Sequence, residues 1–584
     1  MVKRPHSDDN LGASKRARRI NFSPNKVATQ EAAAQVDENP PYTMLLEAAK
    51  TFMVKPGKGD CVVYWMRMGD LRVSDNRALS LASDQAQTNG VPLVVLFTIS
   101  PQDYQAHDRA ARRIDFVLRN LKCIQSKLDE LNIPLHVETI DVRRQMPQRV
   151  MTFLADVNSK HLFANYEYEV DELRRDIILY ALAKEANVRF ELHHNRCIVE
   201  PGVIFTAQGK SPAVFSPYFK KWAPLVNHDS SYVEDAPAPK PNEQDVREKE
   251  PLAAMFKEMV PDFVDGFKLE ADDKKKMEEC WPAGEDAALE VLARFLKTKS
   301  RSTQRGDVNP LEEGAQESAK DSRVKQYHQE RDHVDADTTS RLSPYLSAGV
   351  LSIRECVRAG RKMSKTADNV DTSRDSGVGR WNQELAWRDF YTNILVAFPR
   401  VSMGRPYLEK YSDVVWEDAV DADGNDTEAV KAWKEGRTGY PIVDAGMRTL
   451  NEMGWMHNRL RMTTAMFLTK HLMIDWRVGE KYFQERLIDG DLASNNGGWQ
   501  WSASTGVDPC PYFRIFNPYS QSEKADPSGD YIRQMVPELK SLKGKQIHHP
   551  SVDSADALGY ARPIVEHTSA RNRALRRFKD VGEV

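Results

Sequence analysis

Three segments in the second half of the chain group side chains in ways that suit chemistry. The first reads Trp381-Asn382-Gln383-Glu384-Leu385-Ala386-Trp387-Arg388-Asp389-Phe390-Tyr391. At about 100° per residue, Trp381, Glu384, Trp387, Arg388 and Tyr391 share roughly a third of a helix circumference, while Leu385, Ala386 and Phe390 fall mainly on other faces. A face that mixes aromatics, a carboxylate and an arginine is poor core material. It suits a pocket in which flat rings stack and one acid hydrogen-bonds. The second segment, Trp455 to Met462, sets Trp455, Asn458 and Met462 on one face: an aromatic, an amide and a soft apolar group. The third is Asp489-Gly490-Asp491-Leu492-Ala493-Ser494-Asn495-Asn496-Gly497-Gly498-Trp499-Gln500-Trp501. Its glycines permit close backbone approach, and its Asp and Asn side chains offer hydrogen bonds to a polar heterocycle. Asp-Gly-Asp also begins like a calcium loop, but the required late Glu is missing and Asn-Gly-Gly-Trp follows. Upstream, Tyr327 and Arg331 precede Thr338-Thr339-Ser340-Arg341-Leu342-Ser343-Pro344. Hydroxyls and N–H groups opening a helix can cradle an anion, although such runs more often only cap the helix.

These segments need a scaffold, and the chain is long enough for several domains, each with its own core, at 584 residues. Its formal net charge of −3 does not announce a nucleic-acid binder, so DNA affinity has to come from a local basic surface. The 6 cysteines are scattered without CxxC pairs or zinc spacing, which fits a reducing compartment. No apolar run is long enough to span a bilayer, and no secretory signal is visible. Residues 1–58 read as a tail without a core, rich in Ala, Asn, Pro and charge. Lys3-Arg4 and Lys15-Arg16-Ala17-Arg18-Arg19 have the spacing of a bipartite nuclear-import signal, which predicts an import receptor as partner and the nucleus as destination. Asp8 and Asp9 argue against a mitochondrial presequence acting alone, and the mitochondrion stays open as a second destination.

Residues 59–195 alternate apolar runs (Cys61–Met66, Pro92–Ile99, Pro134–Ile140, His161–Ala164) with helical stretches (Ala110–Leu131, Glu169–Ala186). That alternation predicts a doubly wound parallel sheet, an α/β domain. No GxGxxG follows the first strand, which disfavours a dinucleotide-binding dehydrogenase. Residues 196–285 form a proline-rich connector. Residues 286–562 read as a larger all-α domain, and 563–584 as a short basic tail.

Taken together and in order, WNQELAWRDFY, GRTGYPIVDAGMRTL, GWMHNRLRM, DGDLASNNGGWQW and PYFRIFNP resemble the photolyase and cryptochrome superfamily, above all the class I cyclobutane pyrimidine dimer photolyases. The likeness spans about 500 residues, from Val62 to the Tyr560 region. It implies a light-driven lyase that repairs UV-damaged DNA as a monomer, with reduced FAD in the helical domain. By motif match, Tyr327, Thr339, Ser340, Arg341, Leu342 and Ser343 should hold the phosphates and ribose. Trp381, Arg461, Asp489, Gly490, Asp491 and Asn495 should line the adenine or the isoalloxazine, with Asn495 beside flavin N5.

The same resemblance implies that the flipped-out dimer meets Glu384 and Asn458 at its polar edges. Trp387, Tyr391, Trp501 and Met462 would then border its rings, and Arg331, Arg388, Arg459 and Gln521 would meet the DNA backbone. A relay of Trp499, Trp476 and Trp416, the last at the surface, should re-reduce the flavin. An antenna is expected at His107, Asp171 and Glu172. Methenyltetrahydrofolate is the first choice and 8-hydroxy-5-deazaflavin the alternative, because Asp171, Ser402 and Met403 depart from the folate-binding pattern. Two rivals stay in view. A (6-4) photolyase needs a histidine pair where this chain has His457-Asn458, and a cryptochrome-like receptor has no need of a dimer pocket.

Overall fold

The computed structural model describes residues 27–301, 309–364 and 369–582. Five parallel strands, β1 (Val62–Met66), β2 (Leu93–Ile99), β3 (Leu135–Thr139), β4 (His161–Asn165) and β5 (Arg189–His193), form one sheet in the order β3-β2-β1-β4-β5. Along β1, Val62, Tyr64 and Met66 enter one apolar cluster while Val63 and Trp65 enter another. Both faces are therefore covered, as the near-continuous apolar runs predicted. Beyond the connector the described chain is helical, as expected. The fifth strand was not anticipated, because Arg189-Phe-Glu-Leu-His alternates charge with apolar residues, as an edge strand does.

The two domains meet along a seam between the loop after β1 and residues 345–354. Leu71 N–H donates to Ala348 O, and Arg72 donates to Gly349 O at 2.8 Å. Arg354 pairs with Asp75 at 2.6 Å, with side chains 0% and 6% exposed. Gly349 has φ +69°, and a Cβ there would lie 1.8 Å from Gly69 O, so only glycine fits this approach.

Three boundary expectations need correction. The basic clusters at Lys3–Arg19 lie outside the described residues, but from residue 27 on the supposed tail is folded. Helices Gln30–Glu38 and Pro41–Lys50 bury Ala33, Val36, Tyr42 and Leu45 against the body of the protein. Few apolar residues suffice because each is completely covered. The connector is likewise structured: helix Phe215–His228 buries Phe215, Tyr218 and Trp222. The basic C-terminal segment forms helix His567–Lys579, which docks through Ala574 and Phe578. Arg573 donates to His471 O, and Arg577 pairs with Glu417 at 2.8 Å, so these two arginines serve the fold and not a phosphate.

Candidate active site

Helix Gly377–Ala397 carries the aromatic and acidic face, and it starts where Ser376 Oγ accepts from Gly379 N–H. Glu384 forms an ion pair with Arg331, which ends helix Arg323–Glu330. Burial raises the Glu384 carboxyl above the usual carboxylate range; Arg331 opposes this and Asp332 adds to it. Asp332 in turn holds Arg459, so two adjacent ion pairs tie the Arg323–Glu330 helix to both pocket helices. Trp387 stacks on Phe215 at 3.8 Å and 7°, and the Tyr391 ring lies tilted at 32° with its centre 5.4 Å away. Phe215 comes from the connector and was missed, although Phe215, Tyr218, Phe219 and Trp222 already showed helical spacing there.

Asn458 opens helix Asn458–Met466, is exposed, and lies with its amide 3.8 Å from Met462 Sδ. Met462 and Trp501 pack on the same small cluster of Met466, Cys510 and Phe516. His457 is buried and caps this helix by accepting from Arg459 N–H at 3.1 Å. Burial pushes its imidazole down to about 4, so it is a neutral cap with no histidine partner beside it in the chain.

A second constellation surrounds the Gly-rich segment. Arg461 pairs with Asp489 at 2.8 Å and donates to Met456 O. The other Asp489 oxygen is buried without a hydrogen-bond partner, an acceptor waiting for a donor the protein does not supply. Asp491 caps helix Leu492–Ala503 through Ser494 and pairs with Arg196. Burial works to raise its carboxyl, but Arg196, Arg388 and Ser494 outweigh that and hold it below the usual range. A Cβ added at Gly490 would lie 3.2 Å from Gln484 Oε1. Asn495 Nδ2 donates to Glu480 O at 2.9 Å, and Asn496 Nδ2 donates to Glu480 Oε1 at 2.8 Å. This set, an orphaned buried carboxylate oxygen at Asp489 and two amides at Asn495 and Asn496 on the following helix, fits the polar edge of a flavin.

Several expected ligands face elsewhere. Arg388 donates to Arg196 O and to Leu346 O at 3.1 Å, so its guanidinium is held between domains and not toward a DNA backbone. Arg341 adopts φ +53° and is 3% exposed, its guanidinium 4.9 Å from the Trp281 ring and 5.9 Å from that of Trp455. Leu342 is core, and Ser343 Oγ accepts from Trp455 Nε1, so side chains of this run serve packing. Thr339 borders a small cavity with Asp337, Trp455 and His457. Trp381 is buried and meets Phe295 edge-on at 5.2 Å. Tyr327 meets the same Phe295 edge-on at 5.7 Å. Gln521 lies half-buried on helix Pro518–Ala525.

Trp499 is buried against Phe483 at 4.9 Å and Trp433 at 6.1 Å; Trp433 was not singled out from the sequence. Trp476 is 1% exposed at the start of its helix. A parallel bridge pairs Glu417 with Ile474, which brings the neighbouring Trp416 toward the Trp476 turn. Trp416 is half-buried and still reaches solvent, with Phe578 of the C-terminal helix edge-on against it at 5.8 Å.

Glu480 was also missed. Burial raises its carboxyl to about 7, with Asn496 only partly opposing. The folded state therefore holds this proton more tightly than the unfolded chain. Glu480 is neutral toward stability below its ordinary value of 4.5 and destabilises as pH rises to about 7. Glu480→Gln is expected to match wild type in acid and to gain up to about 3 kcal/mol above neutrality. Thermal denaturation at acid and mildly alkaline pH checks this; an equal offset at both would refute it.

In the α/β domain His107 Nδ1 lies 3.4 Å from Asp103 and 3.7 Å from Glu172, and Nε2 lies 3.5 Å from Asp171. Burial disfavours the imidazolium, but Glu172, Asp103 and Asp171 outweigh it and raise the ring's pKa. Glu172 Oε2 is buried without a hydrogen-bond partner. Beside it opens a cavity of about 440 Å³ lined by Asp103, Arg143, Asp171, Glu172 and Arg174. Ser402 donates to its own turn at Pro399 O, and neither it nor Met403 lines this cavity.

Comparison with known proteins agrees with this layout. Residues 62–242 match the DNA photolyase family, and residues 381–580 match the FAD binding domain of DNA photolyase. The deoxyribodipyrimidine photo-lyase of Neurospora crassa is 39% identical, over 96% of this chain and 88% of the relative. That of Escherichia coli K12 is 36% identical over 88% of this chain and 98% of the relative. Among solved structures, a bacterial class III photolyase from Agrobacterium tumefaciens superposes with TM-score 0.72 at 28% identity, covering 91% of this chain and 99% of that one. A cryptochrome from Synechocystis gives TM-score 0.67 at 25% identity, covering 90% and 99%. With such identity to photo-lyases over most of its length, the chain belongs to the DNA photolyase family.

Proposed function

We propose that this chain, as a deoxyribodipyrimidine photo-lyase, splits cyclobutane pyrimidine dimers in UV-damaged DNA at the pocket between Glu384 and Asn458. What supports this reading is that the adjacent Arg331 and Asp332 pair with Glu384 on one helix and with Arg459, next to Asn458, on another, while Met462 and Trp501 pack on one shared cluster. Reduced FAD, held by Arg461, Asp489, Asp491 and Asn495, supplies the electron that light promotes toward the dimer. A fused pyrimidine pair is already poorly stacked and paired, so extruding it costs less than flipping a normal step. The Trp387 ring, fixed from behind by Phe215, offers a flat surface to the pyrimidines. Met462 and Trp501 exclude water on the apolar side. Arg331 keeps Glu384 in place until substrate enters, and the raised carboxyl then donates a hydrogen bond to a pyrimidine carbonyl as negative charge develops there. Asn458 donates at the other polar edge. A flavin-binding light receptor would have no need of the dimer pocket.

Glu384→Ala is expected to lower repair per absorbed photon severalfold while flavin absorbance stays unchanged, with Glu384→Gln retaining more activity. Illuminated, reduced enzyme with dimer-containing DNA and a dark control provides the measurement. Loss of flavin from the Ala variant would mark a structural role instead.

The cavity beside His107 and Glu172 is the antenna site in this reading, and methenyltetrahydrofolate the preferred occupant. The crevice at the switch point between β1 and β4, where a flat chromophore could otherwise enter, is filled. There Arg67 pairs with Asp176 at 2.7 Å and lies over Trp65 at 4.4 Å. The Lys3–Arg19 clusters keep the import-receptor reading, with the nucleus as destination. A yeast relative is named as mitochondrial, which leaves that compartment as a second address.

A further inference from the structure

The paired helices Gln30–Glu38 and Pro41–Lys50 lie outside both matched family regions, yet they pack on an element of each domain. The first helix starts with Thr29 accepting from Ala32 N–H and buries Ala33 and Val36. It packs on residues 399–403 of the helical domain. Ala28 N–H donates to Met403 O at 2.8 Å, and Asp37 pairs with Arg400. That segment is in turn bonded to the flavin-side helix: Asn496 Nδ2, which also holds Glu480, donates to Val401 O at 3.0 Å.

The second helix begins after only Asn39 and Pro40, and Pro41 occupies its first turn, so the joint has little freedom. Tyr42 meets the rings of Tyr166 and Tyr168, each at 6.1 Å, and donates to Pro201 O. Those tyrosines run directly into helix Val170–Glu185, whose first turn carries Asp171 and Glu172. Farther along, Phe52 packs edge-on against Tyr180 of the same helix at 5.0 Å, and Asn187 brackets Lys55 with two hydrogen bonds. The second helix is thus fastened along the length of the antenna helix, and the first to the support of Asn496.

We infer that this helix pair is a clamp that fixes the antenna cavity relative to the flavin cavity, with Asp37 and Tyr42 as positioning residues for energy transfer. Besides the Arg354–Asp75 seam, the Arg196–Asp491 and Lys481–Asp108 pairs join the α/β half to the helical domain. The clamp adds the line of contact that ties the antenna helix to residues 399–403. Dipolar energy transfer falls steeply with separation and with misalignment, so a small rotation matters to it. Repair driven by direct excitation of the flavin does not depend on that geometry. The inference rests on the antenna reading only for its functional consequence, not for the clamp itself.

The test compares full-length holoenzyme with Asp37→Arg, Tyr42→Ala and the conservative Asp37→Glu. Two readouts are taken: repair sensitised through added methenyltetrahydrofolate against repair by direct flavin excitation, and hydrogen exchange of 399–403 and 170–175. The first two variants are expected to lose about fivefold in sensitised repair, the low end of a typical coupling between sites. Direct repair should hold, exchange should rise at both segments together, and Asp37→Glu should behave as wild type. Unchanged sensitisation, or an exchange increase confined to residues 28–52, overturns the clamp. If wild-type enzyme takes up no folate, the antenna reading falls separately and the joint exchange response alone decides the clamp.

Discussion

Trp499→Phe should leave repair by pre-reduced enzyme intact and bring light-driven reduction of oxidised flavin down to the dark background. The physical reason lies in where Trp499 sits. It is 2% exposed on helix Leu492–Ala503, one turn after Asn495, and so one helical step from the amide expected at the flavin. Phenylalanine fills most of the same space but is far harder to oxidise than indole, so packing survives and the electron path does not. Repair proper draws on an electron already stored, and it uses Glu384, Asn458 and their neighbours on other helices. The check is absorbance of oxidised flavin under blue light with an external reductant, run beside a repair assay on chemically reduced protein. Persistence of photoreduction at the wild-type rate would move the first relay step elsewhere, with Trp433 at 6.1 Å the first place to look. Loss of repair together with photoreduction would mean that Trp499 acts chiefly by shaping the cavity.

A second large effect comes from the residue against which Trp499 rests. A Cβ built on Gly479 would lie 2.1 Å from Trp499 Cη2 and 2.4 Å from Cζ3. The indole cannot retreat, because Phe483 and Trp433 close its other sides. Gly479→Ala is therefore expected to destabilise the helical domain by about 1–3 kcal/mol, the usual range for overpacking a filled core. The clash also predicts its own remedy. Phenylalanine lacks the outer benzo atoms that meet Gly479, so Trp499→Phe should recover much of the stability lost in Gly479→Ala. A double-mutant cycle by thermal or denaturant unfolding measures this coupling directly. Additive effects of the two substitutions would show that the glycine is dispensable there.

The limits of the sequence reading follow from what kind of contact each feature needs. β1, β2 and β4 were legible because a strand buried on both faces must be nearly all apolar, and that is a local property. β5 was not, since an edge strand carries Arg189 and Glu191 without penalty. The faces of helix Gly377–Ala397 followed from angular arithmetic, and Glu384, Trp387 and Tyr391 are all half-buried on it. The same arithmetic put Arg388 beside them, yet it could not see that the Arg196 and Leu346 carbonyls lie within its reach. Phe215 and Glu480 were hidden for the same reason, each acquiring its role from a partner far away in the chain. The clamp helices escaped because composition averages over a segment. Ala33, Val36, Tyr42 and Leu45 are too few to shift the average, although Thr29 and Pro41 were readable as helix-start signals.

The seam of Arg354 with Asp75 has a consequence for how the chain comes into being. Synthesis runs from the N-terminus, and domains generally fold in that order. The loop after β1 emerges nearly 280 residues before the arginine that neutralises its aspartate, their separation being 279 positions. Until then Asp75 has no counter-charge, and the surface that will meet residues 345–354 has no cover. The α/β half is therefore not a free-standing module that a helical domain later joins, but an unfinished piece waiting on the ribosome for its other half. A truncated message ending in the connector would yield a sticky fragment rather than a smaller working protein, a hazard that quality-control machinery has to meet whenever translation stalls there.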